Sequence, residues 1–373
     1  MSISTGRATQ PSSGPPRRDH GFHPVRVSRI IEETDEAISV ALEVPEELRD
    51  SFEYRAGQFV TFQVQIDGQQ HLRSYSMSSS PEVDDEFRIT VKRVPEGVVS
   101  TWLTRSLAEG DVLQSTCPAG VFTLGTGSGD IVGFAGGSGI TPIFSLIKTA
   151  LATTSRRVRL LYANRDAPAT IFRAELDALA QQHGDRFEVV HHFDVDEGFV
   201  DDDEVRPYVS GGPETDYYIC GPTPFMDLVE STLQSGGVGA DRIHIERFGP
   251  AALPEEPTDA LAGTVGDAGG ARGPAEASAA TQVTIELDGR TSTGQHRPGT
   301  TILQTARSMG LTPPYSCEAG DCATCMAKLT EGAATMHANN ALFDDEVEGG
   351  WVLTCQAVPT TPTIHVIYGY EED

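Results

Sequence analysis

Residues 131–142 read Ile131-Val132-Gly133-Phe134-Ala135-Gly136-Gly137-Ser138-Gly139-Ile140-Thr141-Pro142, an apolar run that passes straight into a glycine-rich turn. A short apolar run bounded by glycines predicts a buried strand, and the apolar spacing of residues 143–151 predicts an amphipathic helix. The turn between them suits a pyrophosphate: glycines let backbone N–H groups approach closely, and the start of the following helix adds partial positive charge. The same texture continues outward. Residues 158–162, 187–191, 217–220 and 243–245 predict further buried strands, and residues 171–180 and 224–233 further helices. Strand and helix in alternation predict a parallel α/β sheet over residues 127–249.

The turn departs from G-x-G-x-x-G, because Pro142 stands where the last glycine would be and no acidic residue clearly ends the second predicted strand. An ordinary dinucleotide-binding dehydrogenase is thereby disfavoured. Upstream, residues 22–126 carry short alternating segments such as 59–66 and 87–91 between Gly, Pro and Asp turns, which predicts an antiparallel β-barrel with one helix near residues 101–107. Three local runs stand out there: Ala56-Gly57-Gln58-Phe59, Arg73-Ser74-Tyr75-Ser76 and Gly97-Val98-Val99-Ser100-Thr101. In the α/β region, Cys220-Gly221-Pro222 ends one strand and Glu246-Arg247-Phe248 ends another.

Beyond it, residues 250–281 contain Ala, Gly, Pro, Glu and Asp but no aromatic residue, too little apolar surface to offset chain entropy. They read as a flexible linker, whose ~32 residues span on the order of 30 Å. Residues 1–21, rich in Ser, Gly, Pro and Arg, read as a disordered leader. After the linker, predicted strands at 283–287 and 364–368 and a helix at 301–309 give an α+β unit over residues 282–373.

That unit holds Cys317, Cys322 and Cys325 in the spacing C-x4-C-x2-C, with Cys355 far downstream. This is the plant-type [2Fe-2S] pattern, in which a tight loop presents three thiolates and a distant segment brings the fourth. Zinc sites draw their ligands from two short pairs, and here the fourth cysteine stands alone. Small residues, among them Ala319, Gly320, Ala323 and Thr324, leave room for backbone N–H groups to approach the sulfurs. Cys117 and Cys220 have no such companions and read as core residues.

Residues 282–373 resemble a plant-type ferredoxin domain of β-grasp fold, also through Tyr315-Ser316-Cys317 and Leu353-Thr354-Cys355-Gln356. Residues 22–249 resemble the ferredoxin–NADP reductase-like family, through the R-x-Y-S run, the G-x-x-S run at Gly97, the glycine-rich turn and Cys220-Gly221-Pro222, in that order. The domain order is similar to that of the reductase components of multicomponent oxygenases. Among these are the reductases of 3-ketosteroid 9α-hydroxylase, whose acceptor is a Rieske oxygenase, and of phenylacetyl-CoA epoxidase, whose acceptor is a diiron oxygenase.

The resemblance implies roles residue by residue. Tyr75 lies along the isoalloxazine ring, Ser76 hydrogen-bonds near its N5, and Arg73 neutralises flavin phosphate within the binding run that includes Ser74. Gly97, Val98, Val99, Ser100 and Thr101 hold the FAD pyrophosphate; related reductases that use FMN have a different segment here. Gly136, Gly137, Gly139, Cys220, Gly221 and Pro222 shape the nicotinamide nucleotide site, with Thr141 near both rings. Asn164 and Arg165 follow the second strand, near the adenosine ribose. Arg165 would suit NADPH and Asp166 opposes it, so NADH is the expected donor with NADPH possible. Glu246 and Phe248 bring an acid and an aromatic against the flavin. Ser76, Thr141, Glu246 and Phe248 are therefore the expected catalytic set.

The expected function is an NAD(P)H:acceptor oxidoreductase passing electrons from NADH through FAD and a [2Fe-2S] cluster, one at a time, to a partner oxygenase. Two alternatives use the same parts: a stand-alone oxidoreductase reducing a hybrid-cluster or other redox protein, and a non-enzymatic electron-carrying subunit. In the second of these the cluster would directly follow the nucleotide domain.

Composition excludes other classes. The chain has 373 residues with 54 acids against 27 bases, a formal charge of −27 that repels phosphate backbones and anionic lipid. Neither nucleic acid nor membrane is an expected partner. No apolar run reaches the ~18 residues of a membrane span, and a cytoplasmic monomer is expected. His191 and His192 are adjacent and face opposite sides of a strand, so they are not joint ligands of one metal.

Overall fold

The computed structural model describes residues 21–209, 212, 214–247, 281–287, 289–315, 320, 323–339 and 341–370. The expected leader and linker lie almost wholly outside these residues, as do Phe248, Cys317 and Cys322.

The first sheet comprises β1 (His23–Thr34), β2 (Ala37–Glu43), β3 (Phe59–Ile66), β4 (Gln69–Ser76), β5 (Phe87–Lys92) and β6 (Val112–Ser115), with α1 (Val98–Ser106) between the last two. Its spatial order, β4-β3-β6-β1-β2-β5, is antiparallel throughout. A bridge between Met77 and Ile89 brings the chain beyond β4 against β5 and curls the sheet toward closure. Val25, Val27, Val40, Val60, Phe62, Ile89, Val91 and Leu103 fill its interior. Helix α1 starts at Val98, a turn earlier than expected, because Gly97 in an extended conformation serves as its N-cap.

The second sheet contains β7 (Ile131–Gly136), β8 (Val158–Asn164), β9 (Phe187–Phe193), β10 (Asp216–Cys220) and β11 (Ile243–Glu246). All pairs are parallel, in the order β11-β10-β7-β8-β9. Helices α2 (Ile140–Thr153), α3 (Arg173–Gln182), α4 (Asp194–Glu197), α5 (Asp202–Val209) and α6 (Thr223–Ser235) connect the strands. Helix α2 begins three residues before the apolar period does: Pro142 falls in the first turn, where an N–H has no intrahelical acceptor, so the ring costs nothing there. Helix α3 begins two residues later than expected. Phe172 adopts a left-handed conformation (φ 58°) and stacks on Phe144 at 4.5 Å, which breaks the helical path before Arg173.

The barrel and the nucleotide domain are joined by polar contacts along α2. Ser145 donates to the Ser79 carbonyl, Ser80 pairs with Thr149 at 2.6 Å, and buried Lys148 pairs with Asp84. Gly57 (φ 89°) presses on the Phe122 carbonyl, which a Cβ there would meet at 2.0 Å.

The third unit consists of β12 (Gln282–Leu287), β13 (Arg290–Gln295), α7 (Ile302–Ser308), β14 (Met326–Glu331), β15 (Ala334–Met336), α8 (Asp344–Glu348), β16 (Trp351–Leu353), β17 (Ala357–Pro359) and β18 (Thr363–Ile367). Its main sheet runs β13-β12-β18-β14-β16, with β12 and β18 parallel and the other pairs antiparallel. Thr301 and Gln304 form a reciprocal capping box that fixes the start of α7. Ile302 and Ala306 then pack on Val283, Ile285, Ile364 and Val366 of the sheet.

Candidate active site

In an open parallel sheet, ligands bind at the carboxyl ends of the strands where the winding direction reverses. Here that point lies between β7 and β10. The two loops leaving these strands touch backbone to backbone. A Cβ on Gly139 would lie 2.1 Å from the Cys220 carbonyl, one on Gly136 would lie 2.7 Å from the Pro222 ring, and one on Gly221 would lie 3.0 Å from Gly136. Neither α2 nor α6 has a side-chain N-cap; the Ile140 N–H closes back on the Gly137 carbonyl, and Pro142 and Pro224 bring no N–H to the two first turns, which leaves the other N–H groups there for a ligand. Thr141 is buried and its hydroxyl donates to the Ser138 carbonyl at 3.0 Å, which holds the turn.

Asn164 ends β8 at the same edge of the sheet. It is 3% exposed, and neither atom of its amide has a hydrogen-bond partner among the described residues. An unmatched buried amide costs on the order of 1–3 kcal/mol, a cost that a polar ligand group removes. This orphaned amide and the glycine cradle fit a nicotinamide nucleotide.

The barrel contributes the other wall. Ser74, Tyr75 and Ser76 lie on β4, whose alternation turns Ser74 and Ser76 to one face and Arg73 and Tyr75 to the other. Ser74 pairs with Thr61 at 2.8 Å. The Tyr75 ring packs 6.1 Å from Phe62, and burial pushes its hydroxyl pKa up, keeping it neutral. Arg73 is exposed and donates to the Leu72 carbonyl at 2.7 Å. Ser76 reaches across the domain boundary: its hydroxyl donates to Glu246 Oε1 at 3.4 Å, and both residues are buried. Glu246 is in register with Cys220 across β10 and β11, so the end of the glycine site and the β4 serine converge on one carboxylate. Burial, reinforced by Glu246, raises the Cys220 thiol well above its ordinary range, so it stays protonated.

At α1 the N-terminus also lacks a side-chain cap. Ser100 is buried, and its hydroxyl accepts from the Val94 N–H at 3.1 Å, so it holds the turn that presents the helix. Val99 packs into the barrel core, Val98 is exposed, and the Thr101 N–H closes on the Gly97 carbonyl at 3.1 Å. An uncapped helix start at a glycine fits a flavin pyrophosphate.

Two residues escaped the sequence reading. Lys92 ends β5 with its ammonium 3.6 Å from where a Cβ of Gly137 would stand, and burial pulls its pKa down. It is one of three lysines in the chain, a scarcity that was the available signal. Glu36, at the turn between β1 and β2, lies 3.6 Å from Arg165, which also bonds Asp166 at 2.8 Å. The Arg165 guanidinium holds Asp166 below the usual carboxylate range. Sequence separation hides such a contact.

In the third unit, Cys325 and Cys355 are buried. The Thr354 hydroxyl donates to the Cys325 carbonyl at 2.7 Å and accepts from the Tyr368 hydroxyl at 2.8 Å, which ties together the segments bearing these two cysteines. Gly320 (φ 87°) and Ala323 (φ 52°) take left-handed conformations on either side of position 322. Gln356 Nε2 lies 3.7 Å from Cys355 Sγ, a donor to sulfur. Buried thiols, left-handed backbone at Gly320 and Ala323 and a donor at hydrogen-bond distance from sulfur fit a [2Fe-2S] cluster.

Family models match three successive segments: an oxidoreductase FAD-binding domain over residues 24–124, an oxidoreductase NAD-binding domain over 134–231, and a 2Fe-2S iron–sulfur cluster binding domain over 285–360. The ferredoxin reductase component of 3-ketosteroid-9-alpha-monooxygenase from Rhodococcus rhodochrous is 36% identical over 93% of this chain and 97% of its own. The chain belongs to this family of flavin and iron–sulfur reductases. One component of the 1,2-phenylacetyl-CoA epoxidase from Escherichia coli is 29% identical over 92% of this chain and 97% of its own. Among solved structures, phthalate dioxygenase reductase aligns with a TM-score of 0.57 at 24% identity, covering 93% of this chain and 98% of its own, and shows the same fold.

The reductase therefore carries FAD, a nicotinamide nucleotide and a [2Fe-2S] cluster, and it is an oxidoreductase. The antiparallel barrel, the parallel α/β domain and the ferredoxin unit follow in the expected order. No helix among the described residues is long and apolar enough to cross a membrane.

Proposed function

We propose that this reductase takes electrons from NADH and delivers them singly to a partner oxygenase, working as a cytoplasmic monomer with domains at residues 22–126, 127–249 and 282–373. The observation that carries the reading is the convergence of Ser76, Glu246 and the Gly136 to Gly139 turn where β7 and β10 part, in a chain covering nearly all of an oxygenase reductase component. Bound FAD accepts two electrons together and releases them one at a time, while the cluster carries single electrons.

The chain's residues do the rest. The glycine turn and the starts of α2 and α6 bind pyrophosphate through backbone N–H groups, and Lys92 supplies a cation beside them. Asn164 offers both a donor and an acceptor to the nucleotide. Ser76 and Glu246, buried together, hold a proton at a hydroxyl and a carboxylate on the flavin side and exclude water there. Cys317, Cys322, Cys325 and Cys355 would ligate the cluster, and Phe248 is the aromatic expected to serve the flavin. Arg73, Tyr75 and the start of α1 hold the flavin.

Arg165 bears on the donor. Already paired with Asp166 and Glu36, it has little uncompensated charge for a 2′-phosphate, and the two carboxylates repel one, which favours NADH. Anaerobic mixing with NADH or NADPH, for the native chain and Arg165→Ala, tests this through the rate of flavin bleaching. NADH should bleach the flavin faster in both proteins, with the NADH rate nearly unchanged by the substitution. Faster bleaching by NADPH, lost selectively in the variant, would show that the guanidinium serves a 2′-phosphate.

A further inference from the structure

The far edge of the nucleotide domain holds a cluster that the electron path does not use. His192, next to last in β9, is 2% exposed. Its Nε2 lies 2.7 Å from the Gly198 carbonyl, a contact that fixes the ring and turns Nδ1 toward the carboxylates. Glu204 Oε1 stands 2.8 Å from Nδ1 and Glu197 Oε1 stands 3.9 Å from it. The three ligand atoms lie within 4.8 Å of one another.

Each carboxylate is itself held. Glu197 Oε1 accepts from the Phe193 N–H at 3.1 Å, and Glu204 Oε2 accepts from the Asp201 N–H at 3.0 Å, leaving Glu204 Oε1 toward the ring. Asp194 lies on the other side, 3.7 Å from Nε2. A buried imidazole whose second nitrogen donates to a backbone carbonyl, facing carboxylates anchored by backbone donors, is how proteins orient metal ligands. Acidic residues alone would not make the case; the buried ring, held by Gly198 with its second nitrogen facing both carboxylates, does.

We propose that His192 Nδ1, Glu197 and Glu204 form a binding site for one divalent first-row cation, with zinc the best match to one imidazole and two carboxylates. A cation needs ligand atoms roughly 2.0–2.2 Å from itself, and three ligand atoms within 4.8 Å of one another are close enough to share one. Water completes the shell, because Glu197 and Glu204 are half-exposed. The site would staple α4 and the turn at Gly198 to α5, ordering an edge that carries seven acids between positions 194 and 204. Its role is structural; the Val195 N–H of α4 donates to the Arg165 carbonyl at 3.1 Å, so the staple adjoins the segment that follows β8.

The test uses the full holoprotein with zinc ion alone as the probe. After incubation with zinc and desalting against a weak chelator, metal analysis should find one zinc per chain with iron and flavin content unchanged, and zinc should raise the melting temperature. Glu204→Gln and Glu197→Gln, both partly exposed and expected to fold, should each lower zinc affinity at least about tenfold, the minimum lost when even an outer-shell partner is removed. They should also lose the thermal shift while keeping iron, flavin and NADH-driven flavin bleaching. No zinc in the native protein, or equal zinc in the native chain and the double variant, would overturn the proposal and leave the three residues as an ion pair of the fold.

Discussion

Replacing Cys325 by Ser should abolish electron delivery to an oxygenase while NADH-dependent reduction of ferricyanide continues. Cys325 is 2% exposed and lies just before β14, so the substitution removes a proposed cluster ligand within the third unit only. The barrel and nucleotide domain keep their own cores, which share no residue with those of the ferredoxin unit. Ferricyanide can draw electrons from the flavin directly, whereas a partner protein needs the cluster as its single-electron outlet. Comparing the two activities in one preparation separates the outcomes. Loss of both would mean that the units are not independent, and survival of both would mean that electrons leave from the flavin.

The largest stability effect is expected at Asp216, remote from the chemistry. This carboxylate opens β10 and is 3% exposed; it accepts from Arg156 at 2.6 Å and from Arg242 at 3.0 Å. Arg156, 4% exposed, also donates to the Gly125, Gly129 and Asp130 carbonyls, pinning the segment that connects barrel to sheet. Asp216→Ala would leave a buried guanidinium without its counter-charge, at about 3–5 kcal/mol, or roughly 6–20 °C in melting temperature. Arg242→Ala, at a half-exposed partner, should cost no more than about 1 kcal/mol.

The same network sets acid behaviour. Burial pushes the Asp216 carboxyl up, but the hydrogen bonds from Arg156 and Arg242 outweigh it and hold the group below its ordinary value. A carboxyl depressed in the folded state contributes stability above its unfolded pKa of about 3.9, and that stability is lost as pH falls through the lower folded value. His191, His244 and His296 are pushed down by burial, so the folded chain resists their protonation and weakens as pH falls below about 6.5. Thermal melts across pH should show two declines on the acid side, with the lower one reduced and the upper one kept in Asp216→Ala.

The α/β sheet was legible because its central strands are buried on both faces and read as continuous apolar runs, as at Ile131 and Val158. The ends of its helices were not. Pro142 and Phe172 set them, one by fitting a first turn and the other by a left-handed backbone, and neither follows from apolar spacing. The barrel's class was legible from alternation, but its order was not, because β6 pairs with β1 and β3, far apart in the chain. The site behaved likewise. Runs contiguous in sequence, such as Arg73 to Ser76 and Gly136 to Thr141, announced themselves. Lys92, Glu36 and the meeting of Ser76 with Glu246 depend on two domains packing together, a property of three dimensions.

The most direct measurement is a rapid-mixing experiment under anaerobic conditions, with NADH as the only reductant, followed by visible absorption and by electron paramagnetic resonance of frozen samples. The flavin band should bleach first, and the signal of a reduced [2Fe-2S] centre should then rise without any added mediator. A flavin that bleaches while the cluster stays oxidised, or a cluster reduced before the flavin, would contradict an electron path that runs from nicotinamide through flavin to cluster within this one chain.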